Sequence, residues 1–477
     1  VFPEGFEYLM NINDALNTIN KAEVFGASLS CDRALSLYRH LGDPWRYMES
    51  FHVACTNGKG SISSYLTHIL CQAGHKVGWY TSPYLVRFNE RIRVLDGPSD
   101  LERYDADLTT GEIPDADVVR LMGTVGKAAE AVAEETGMNV TQFDMITAVA
   151  FLWFKEQGCD YAVLETGLGG RLDSTNILEK PVAVLMASPG YDHVDRLGNT
   201  MAEIMSEKAG VIKYETPVYA YTPSDALLSP DDAAVAHGVL VERCRELSAP
   251  LTFVGYDDIE ILEYGREGQR FRSRHTGHEY STKLLGPYQP IYAMQSALAI
   301  SNAGLADMEA IHRGIETTVW PARLEVLSRS PFILLDGAHN LQGMLGLKDA
   351  LCRLSDGDPV VFVLGLFADK DYEKMLRALL TDSNIAVAGI VSTEPPSERK
   401  LDAETLAKTA AEILVHNGRE ATVVAEADID AALEKALSIA EENKAIVCAC
   451  GSLYLAAGVK SAVHDLLGRK AEVCTCS

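Results

Sequence analysis

The sequence predicts an α/β protein of two domains. Residues 1–318 read as a P-loop-type nucleotide-binding domain on a mostly parallel sheet, and residues 319–477 as a smaller, doubly wound (Rossmann-like) α/β domain. Three observations predict this. A chain of 477 residues exceeds what one core usually accommodates. A short apolar run, Phe51, Val53 and Ala54, gives way to the turn Cys55-Thr56-Asn57-Gly58-Lys59-Gly60-Ser61, after which Ile62, Leu66, Ile69, Leu70 and Ala73 recur at helical spacing. Finally, a strand–helix alternation restarts beyond Val319-Trp320-Pro321-Ala322-Arg323.

In chain order, helical patterns are expected near Ile12–Ile19 and Ala34–His40, then the strand, loop and helix just described, then a strand over Lys76–Thr81. The segment Pro83–Val94 has no clear period and carries Arg87, Arg91 and Arg93. In a chain this acidic they read as cations awaiting an anionic ligand, the alternative being a solvated basic loop. Helices are expected over Asp117–Glu135 and Gln142–Glu156, and a strand over Tyr161–Glu165. The glycines Gly167, Gly169 and Gly170 behind that strand would let backbone approach a substrate closely. The next strand, Val182–Met186, runs into Asp192-His193, and Thr200 N-caps a helix that contains Glu207 and Lys208. Leu251–Leu285 reads as an antiparallel meander, followed by helices over Gln289–Asn302 and up to Thr317. The second domain is expected to hold strands at Phe332–Leu335, Val360–Gly365, Ala386–Ser392, Thr422–Val424 and Ala445–Ala449.

Hydrophobic residues at 47% and charged ones at 23% describe an ordinary globular chain. The formal charge of -25 excludes a general nucleic-acid or anionic-membrane surface, so the cations that hold any anionic ligand must be local. Val1–Met10 lacks a basic region followed by an apolar one, and no apolar run approaches spanning length, so the expected compartment is the cytoplasm. Ten cysteines without framework spacing suit a reducing environment. Cys448 and Cys450 read as packing residues, and the pair Cys474 and Cys476 has no assigned role.

A turn that opens a helix presents free backbone N–H groups and the positive end of the helix dipole, which favours an anion. Lys59 adds a cation with reach, and Ser61 a hydroxyl where nucleotide loops place a magnesium ligand. Gly60 intervenes between them and Val53 stands where the general pattern has its first Gly, so the loop alone also reads as an ordinary strand-to-helix turn. Glu165, at the carboxyl end of a parallel strand, is a candidate magnesium ligand, and His193, beside Asp192, a second. Asp336-Gly337-Ala338-His339-Asn340 places a further polar set at the second sheet's edge. Together these fit an enzyme in which ATP activates a group on a second substrate, with kinase, ATPase and ligase chemistries all open.

The ordered blocks TNGKGS, TSP-YL-RF-ERIRV, VLETGLGGRLDSTN, DHVDRLGNTMAEIMSEKAGVIK, WPARLE, LLDGAHN, ADKD and CGSLYL, spanning Phe51 to Val459, resemble folylpolyglutamate synthase and dihydrofolate synthase of the Mur ligase superfamily. The resemblance implies an ATP-dependent carboxylate–amine ligase. ATP would phosphorylate a carboxylate to an acyl phosphate, L-glutamate would attack it, and phosphate would leave. The acceptor would be a folate, or alternatively dihydropteroate, with two Mg2+ sites and a monomeric state. Carried over by position, Thr56, Asn57, Gly58, Lys59 and Gly60 would hold the phosphates, and Ser61, Ser82, Glu165 and His193 would serve Mg2+. Lys208 matches the lysine that family members carbamylate into a metal ligand. Arg323 and Asp336 match nucleotide-holding positions, Tyr292 stands where an Asn usually helps hold the nucleotide, and His339 matches a residue assisting the incoming glutamate. The implied catalytic set is Lys59, Glu165, His193, Lys208 and His339, with Asn176 near the substrate and Ser452 and Tyr454 near the glutamate. The segment Pro83–Val94 resembles the loop that covers the folate. Departures from the family pattern are Cys55 for the loop's first Gly, Tyr84 and Tyr288 for His, and Tyr191 for Leu.

Overall fold

A computed structural model of the chain describes residues 11–22, 31–381 and 384–475. The readings of residues 1–10 and of Cys476 lie outside the described residues, as does the side chain of Cys474. The main sheet has seven strands: β1 (Glu49–Ala54), β2 (Lys76–Tyr80), β3 (Ile92–Asp96), β4 (Tyr161–Glu165), β5 (Ala183–Met186), β6 (Val218–Tyr221) and β7 (Leu251–Val254). Their order is β3-β2-β4-β1-β5-β6-β7. All neighbours are parallel except β3, which runs antiparallel to β2 at one edge.

Successive residues of a strand face opposite sides of the sheet, so the unbroken burial of Ser50–Ala54 in β1 and of all of β5 means both faces are covered. β1 lies at the centre with β4 and β5 on its two sides, in register Val53 to Glu165 and Ala54 to Met186. Such a division of the strand order around one strand is where open α/β sheets bind ligands, outside the carboxyl ends. The helix Lys59–Gln72 leaves from that end of β1.

The helices are set locally by their caps. Thr141 and Asp144 form a capping box that opens Gln142–Gln157, and Gly158 closes it at φ 65°. Thr200 caps Met201–Ala209 with Glu203 as its reciprocal partner, as the sequence leads one to expect. Tyr38, Trp45, Met145, Val149 and Phe151 pack Gln142–Gln157 and the N-terminal pair Ile12–Lys21 and Cys31–His40 into one core.

The expected meander is correct only in part. β7 pairs parallel with β6 as the last strand of the main sheet. The meander proper is the separate sheet of β8 (Ile259–Gly265), β9 (Gly268–Ser273) and β10 (Glu279–Thr282). A short half-buried strand such as Leu251–Val254 carries no signal of its pairing direction; the preceding helix Pro230–Glu246, which sequence reasoning passed over, supplies the crossover that makes it parallel.

A second sheet of six strands comprises β11 (Glu325–Arg329), β12 (Phe332–Leu335), β13 (Val360–Leu364), β14 (Val387–Ser392), β15 (Thr422–Ala425) and β16 (Ile446–Cys450). Its order is β11-β12-β16-β13-β14-β15, parallel except for the edge strand β11. Cys448 and Cys450 lie buried in β16, and all eight described cysteines are free. The chain divides into two compact units. The first comprises residues 1–260, 271–281 and 290–318, and the second residues 261–270, 282–289 and 319–477. Among the described residues no helix is long and apolar enough to cross a membrane.

The arginine segment needs a correction. Part of it is regular: Phe88–Arg91 is a 3-10 turn and β3 follows. Arg93 is buried, donates to the carbonyls of Leu108 and Thr110, and pairs with Glu112, which also pairs with Arg87. Arg91 lies over the Tyr84 ring. Two of the three arginines therefore meet a carboxylate of the same unit, because residue 112 comes back beside β3, a contact invisible in the local sequence.

Candidate active site

The phosphate loop sits between the ends of β1 and β5. Thr56 and Asn57 donate their backbone N–H groups to Ser188 O, Ser188 N–H returns a bond to Asn57 O, and Thr56 Oγ1 donates to Gly190 O at 2.9 Å. Gly58 takes φ 105°, the left-handed region that favours glycine, and then caps the helix. Cys55 takes φ 102° with a side chain attached, so the loop imposes at that position the torsion a Gly would adopt freely.

Lys59 and Lys208 converge on this turn. Lys59 Nζ donates to Cys55 O and Thr56 O, each at 3.3 Å, and lies 3.8 Å from Glu165 Oε1. Lys208 Nζ donates to the same Cys55 carbonyl at 3.2 Å. Lys208 is 3% exposed, and burial pushes its ammonium down from 10.5 to about 8, with Lys59 acting in the same direction. Glu165 is also buried, and its Oε2 accepts the Ser82 N–H at 3.4 Å. Ser61 is buried in the first helical turn. His193 caps a short helix after β5 at φ 51°, with its half-exposed ring 4.0 Å from Asp192 Oδ2. Asp192 in turn raises the pKa of Lys208.

The glycines after Glu165 are closely packed by neighbouring elements. A Cβ at Gly167 would collide with the Phe143 ring, and one at Gly170 would lie 2.6 Å from Lys208 O. Gly167 thus packs against the helix Gln142–Gln157 and Gly170 against the helix Met201–Ala209. Asn176 strengthens that packing: its amide nitrogen donates to Arg171 O at 2.9 Å and Gly210 O at 3.1 Å. Sequence reasoning missed the organiser of this turn. Asp173 is buried and accepts from the N–H groups of Gly167, Leu168 and Thr175 and from Thr175 Oγ1. The Asp-x-Thr spacing, an Asx turn, is the signal that could have found it.

Oxygen donors from Glu165, Ser61 and Ser82 with one imidazole form a hard set that suits Mg2+. Among the described residues no group of three or more His, Cys, Asp or Glu could hold a metal by itself.

Apart from Tyr292, the remaining predicted residues lie in the second unit. Asp336 is buried at the end of β12 and accepts from Leu324 N at 2.9 Å and Ala338 N at 2.8 Å. Burial raises its pKa, while Arg323 and the two N–H groups pull it down. Arg323 donates to Ala322 O, and His339 Nδ1 lies 2.8 Å from Gly337 O. Ser452 Oγ caps the Tyr454 N–H at 3.1 Å, with the Tyr454 ring edge-on to Phe367. Tyr292 belongs to the first unit, is 2% exposed, and donates its hydroxyl to Asn57 O at 2.9 Å.

A central glycine-bearing loop, a buried carboxylate facing a lysine, and a second doubly wound unit define an α/β protein of the Mur ligase-like fold. The family model described as "Dihydrofolate synthetase, C-terminal domain" matches residues 324–462. The chain is 33% identical over 375 residues to dihydrofolate synthase/folylpolyglutamate synthase of Bacillus subtilis, covering 77% of this chain and 82% of that one. It is also 33% identical over 450 residues to folylpolyglutamate synthase of Lacticaseibacillus casei, covering 92% and 94%. Among solved structures it is similar to the Mycobacterium tuberculosis folylpolyglutamate synthase complexed with ADP and AMPPCP, with a TM-score of 0.79, 25% identity, and 95% and 98% of the two chains covered. The chain belongs to the folylpolyglutamate synthase/dihydrofolate synthase family.

Proposed function

We propose that this chain is an ATP-dependent ligase that adds L-glutamate to a folate. The observation that carries the reading is the meeting of Lys59, Glu165 and Lys208 around one glycine-bearing turn, in a family whose M. tuberculosis member was solved with ADP and AMPPCP. A carboxylate is a poor acyl donor because oxide would have to leave. Transfer of the γ-phosphoryl of ATP to a folate carboxylate oxygen forms an acyl phosphate and ADP. The amine of glutamate attacks that carbonyl carbon and loses a proton, and phosphate departs to leave the amide.

The chain's own residues divide this work. Loop N–H groups and Lys59 hold the β- and γ-phosphates where charge develops during transfer. Ser61, Ser82, Glu165 and His193 would hold Mg2+, which when bound neutralises charge on the transferring group. Lys208 is suited to carbamylation, because only the neutral amine adds to CO2. At pH 7.5 a pKa of about 8 leaves roughly a quarter of it neutral, against about one part in a thousand for an ordinary lysine. In the second unit, Arg323 and Asp336 serve the nucleotide, and His339, Ser452 and Tyr454 the incoming glutamate. The reading includes a monomer working in the cytoplasm.

A second acceptor, dihydropteroate, is favoured by the match to a dihydrofolate synthetase model and by the dual name of the B. subtilis relative. Incubating the purified protein with ATP, Mg2+, radiolabelled glutamate and either tetrahydrofolate or dihydropteroate tests both readings. Label is expected in the folate fraction, with ADP released in equal amount. Release of no ADP with either pterin would overturn the assignment.

A further inference from the structure

The helix Gln289–Asn302 is tied by polar side chains to β5, to β6 and to the helix Lys59–Gln72. Gln295 Nε2 donates to Met186 O at 3.0 Å and Tyr219 O at 3.2 Å, and Ser296 Oγ donates to Ile62 O at 3.4 Å. One turn earlier, Tyr292 reaches the tip of the phosphate loop. Its hydroxyl donates to Asn57 O at 2.9 Å, and its ring lies against Gly58, where any Cβ would strike it. The ring is fixed from behind by Tyr221, 5.7 Å away at the end of β6.

A trans peptide is planar, with its C=O and N–H pointing in opposite directions. Holding Asn57 O therefore also holds the Gly58 N–H, turned away from Tyr292. The Asn57 carbonyl has two acceptor positions, and Tyr292 and the Ser188 N–H take both. Rotation of the 57–58 peptide would break both bonds and turn a carbonyl oxygen toward the phosphates. Glycine at position 58, already at φ 105°, offers little steric resistance to that rotation.

We propose that Tyr292 is a positioning residue that locks the 57–58 peptide with its N–H toward the nucleotide's phosphates. This rests on the nucleotide-binding reading above. Tyr292 acts through the loop's backbone, so its contribution is to ligands that carry phosphate and not to those that lack it.

Calorimetric titration of wild type and Tyr292→Phe with ADP plus Mg2+, and separately with adenosine, tests this. Tyr292→Phe keeps the ring and removes one neutral hydrogen bond, so ADP is expected to bind about fivefold more weakly. Adenosine affinity should be unchanged, and the thermal midpoint should fall only by the few degrees that one lost hydrogen bond accounts for. Equal ADP affinity in the two proteins would overturn the proposal, as would a matching loss for adenosine, which would make the ring a base contact. Absence of ADP binding by wild type would sink the nucleotide reading itself and this proposal with it.

Discussion

Two cationic regions of the first unit look alike in sequence: the phosphate loop with Lys59 and Lys208, and the segment carrying Arg87, Arg91 and Arg93. In three dimensions they differ in what opposes the charge. Arg93 faces Glu112 and two carbonyls and is thereby neutralised inside the protein. Lys208 is equally buried, yet its ammonium donates to a neutral carbonyl and has Lys59 nearby. A buried cation that the fold satisfies is a strut. One that the fold leaves poorly satisfied costs stability and remains available to an anion or to chemical modification.

The comparison breaks most sharply at Glu165. Glu165→Gln retains shape and removes the charge facing Lys59, and is expected to lower kcat for glutamate addition by about a thousandfold with the circular dichroism spectrum unchanged. A loss under tenfold would remove Glu165 from the machinery. Arg93→Met should do the reverse. Leaving Glu112 with Arg87 alone and the Leu108 and Thr110 carbonyls without their buried donor is expected to cost about 2 kcal/mol in urea unfolding, while folate KM in the surviving folded protein stays near wild type. A large KM change at unaltered stability would make Arg93 a ligand residue after all.

Lys208 sharpens the contrast through pH. Its folded pKa of about 8 lies below the ordinary 10.5, so above about 8 the unfolded chain holds a proton that the native chain has released. Stability should therefore rise across that window, with the full cost present below it. Lys208→Met is expected to be about 2 kcal/mol more stable than wild type at pH 7 in bicarbonate-free buffer, and to lose this pH-dependent rise. Parallel unfolding profiles for the two proteins would refute it. The smallest effect belongs to the loop backbone. Cys55→Gly relieves the φ 102° torsion and is expected to raise stability by about 1 kcal/mol, read as a small increase in Tm.

Much of this was legible in the chain itself. The run from Phe51 to Leu70, the acid ending Tyr161–Glu165, and the Thr200 cap each follow from short-range rules, because a strand's burial, a glycine turn and a helix cap are settled within a few residues. The edge strands β3 and β11 and the parallel pairing of β7 were not legible, since short half-buried strands carry no signal of which strand they join or in which direction. Glu112 was missed because a carboxylate's role depends on which guanidinium groups fold back onto it, whereas Asp173 carried a local Asx-turn signal that was passed over.

By itself, then, the sequence determined that two α/β units would form, with a glycine-bearing turn after the central strand and polar groups at the strand ends. Family membership followed from ordered blocks along nearly the whole chain. Only the tertiary structure decided which charges were already spent and which torsions were forced, and which hydroxyl reached the loop. Those outcomes arise from tertiary contacts, among them Lys208 with Cys55 and Tyr292 with Asn57, each more than a hundred positions apart, whose burial and distance no local pattern encodes.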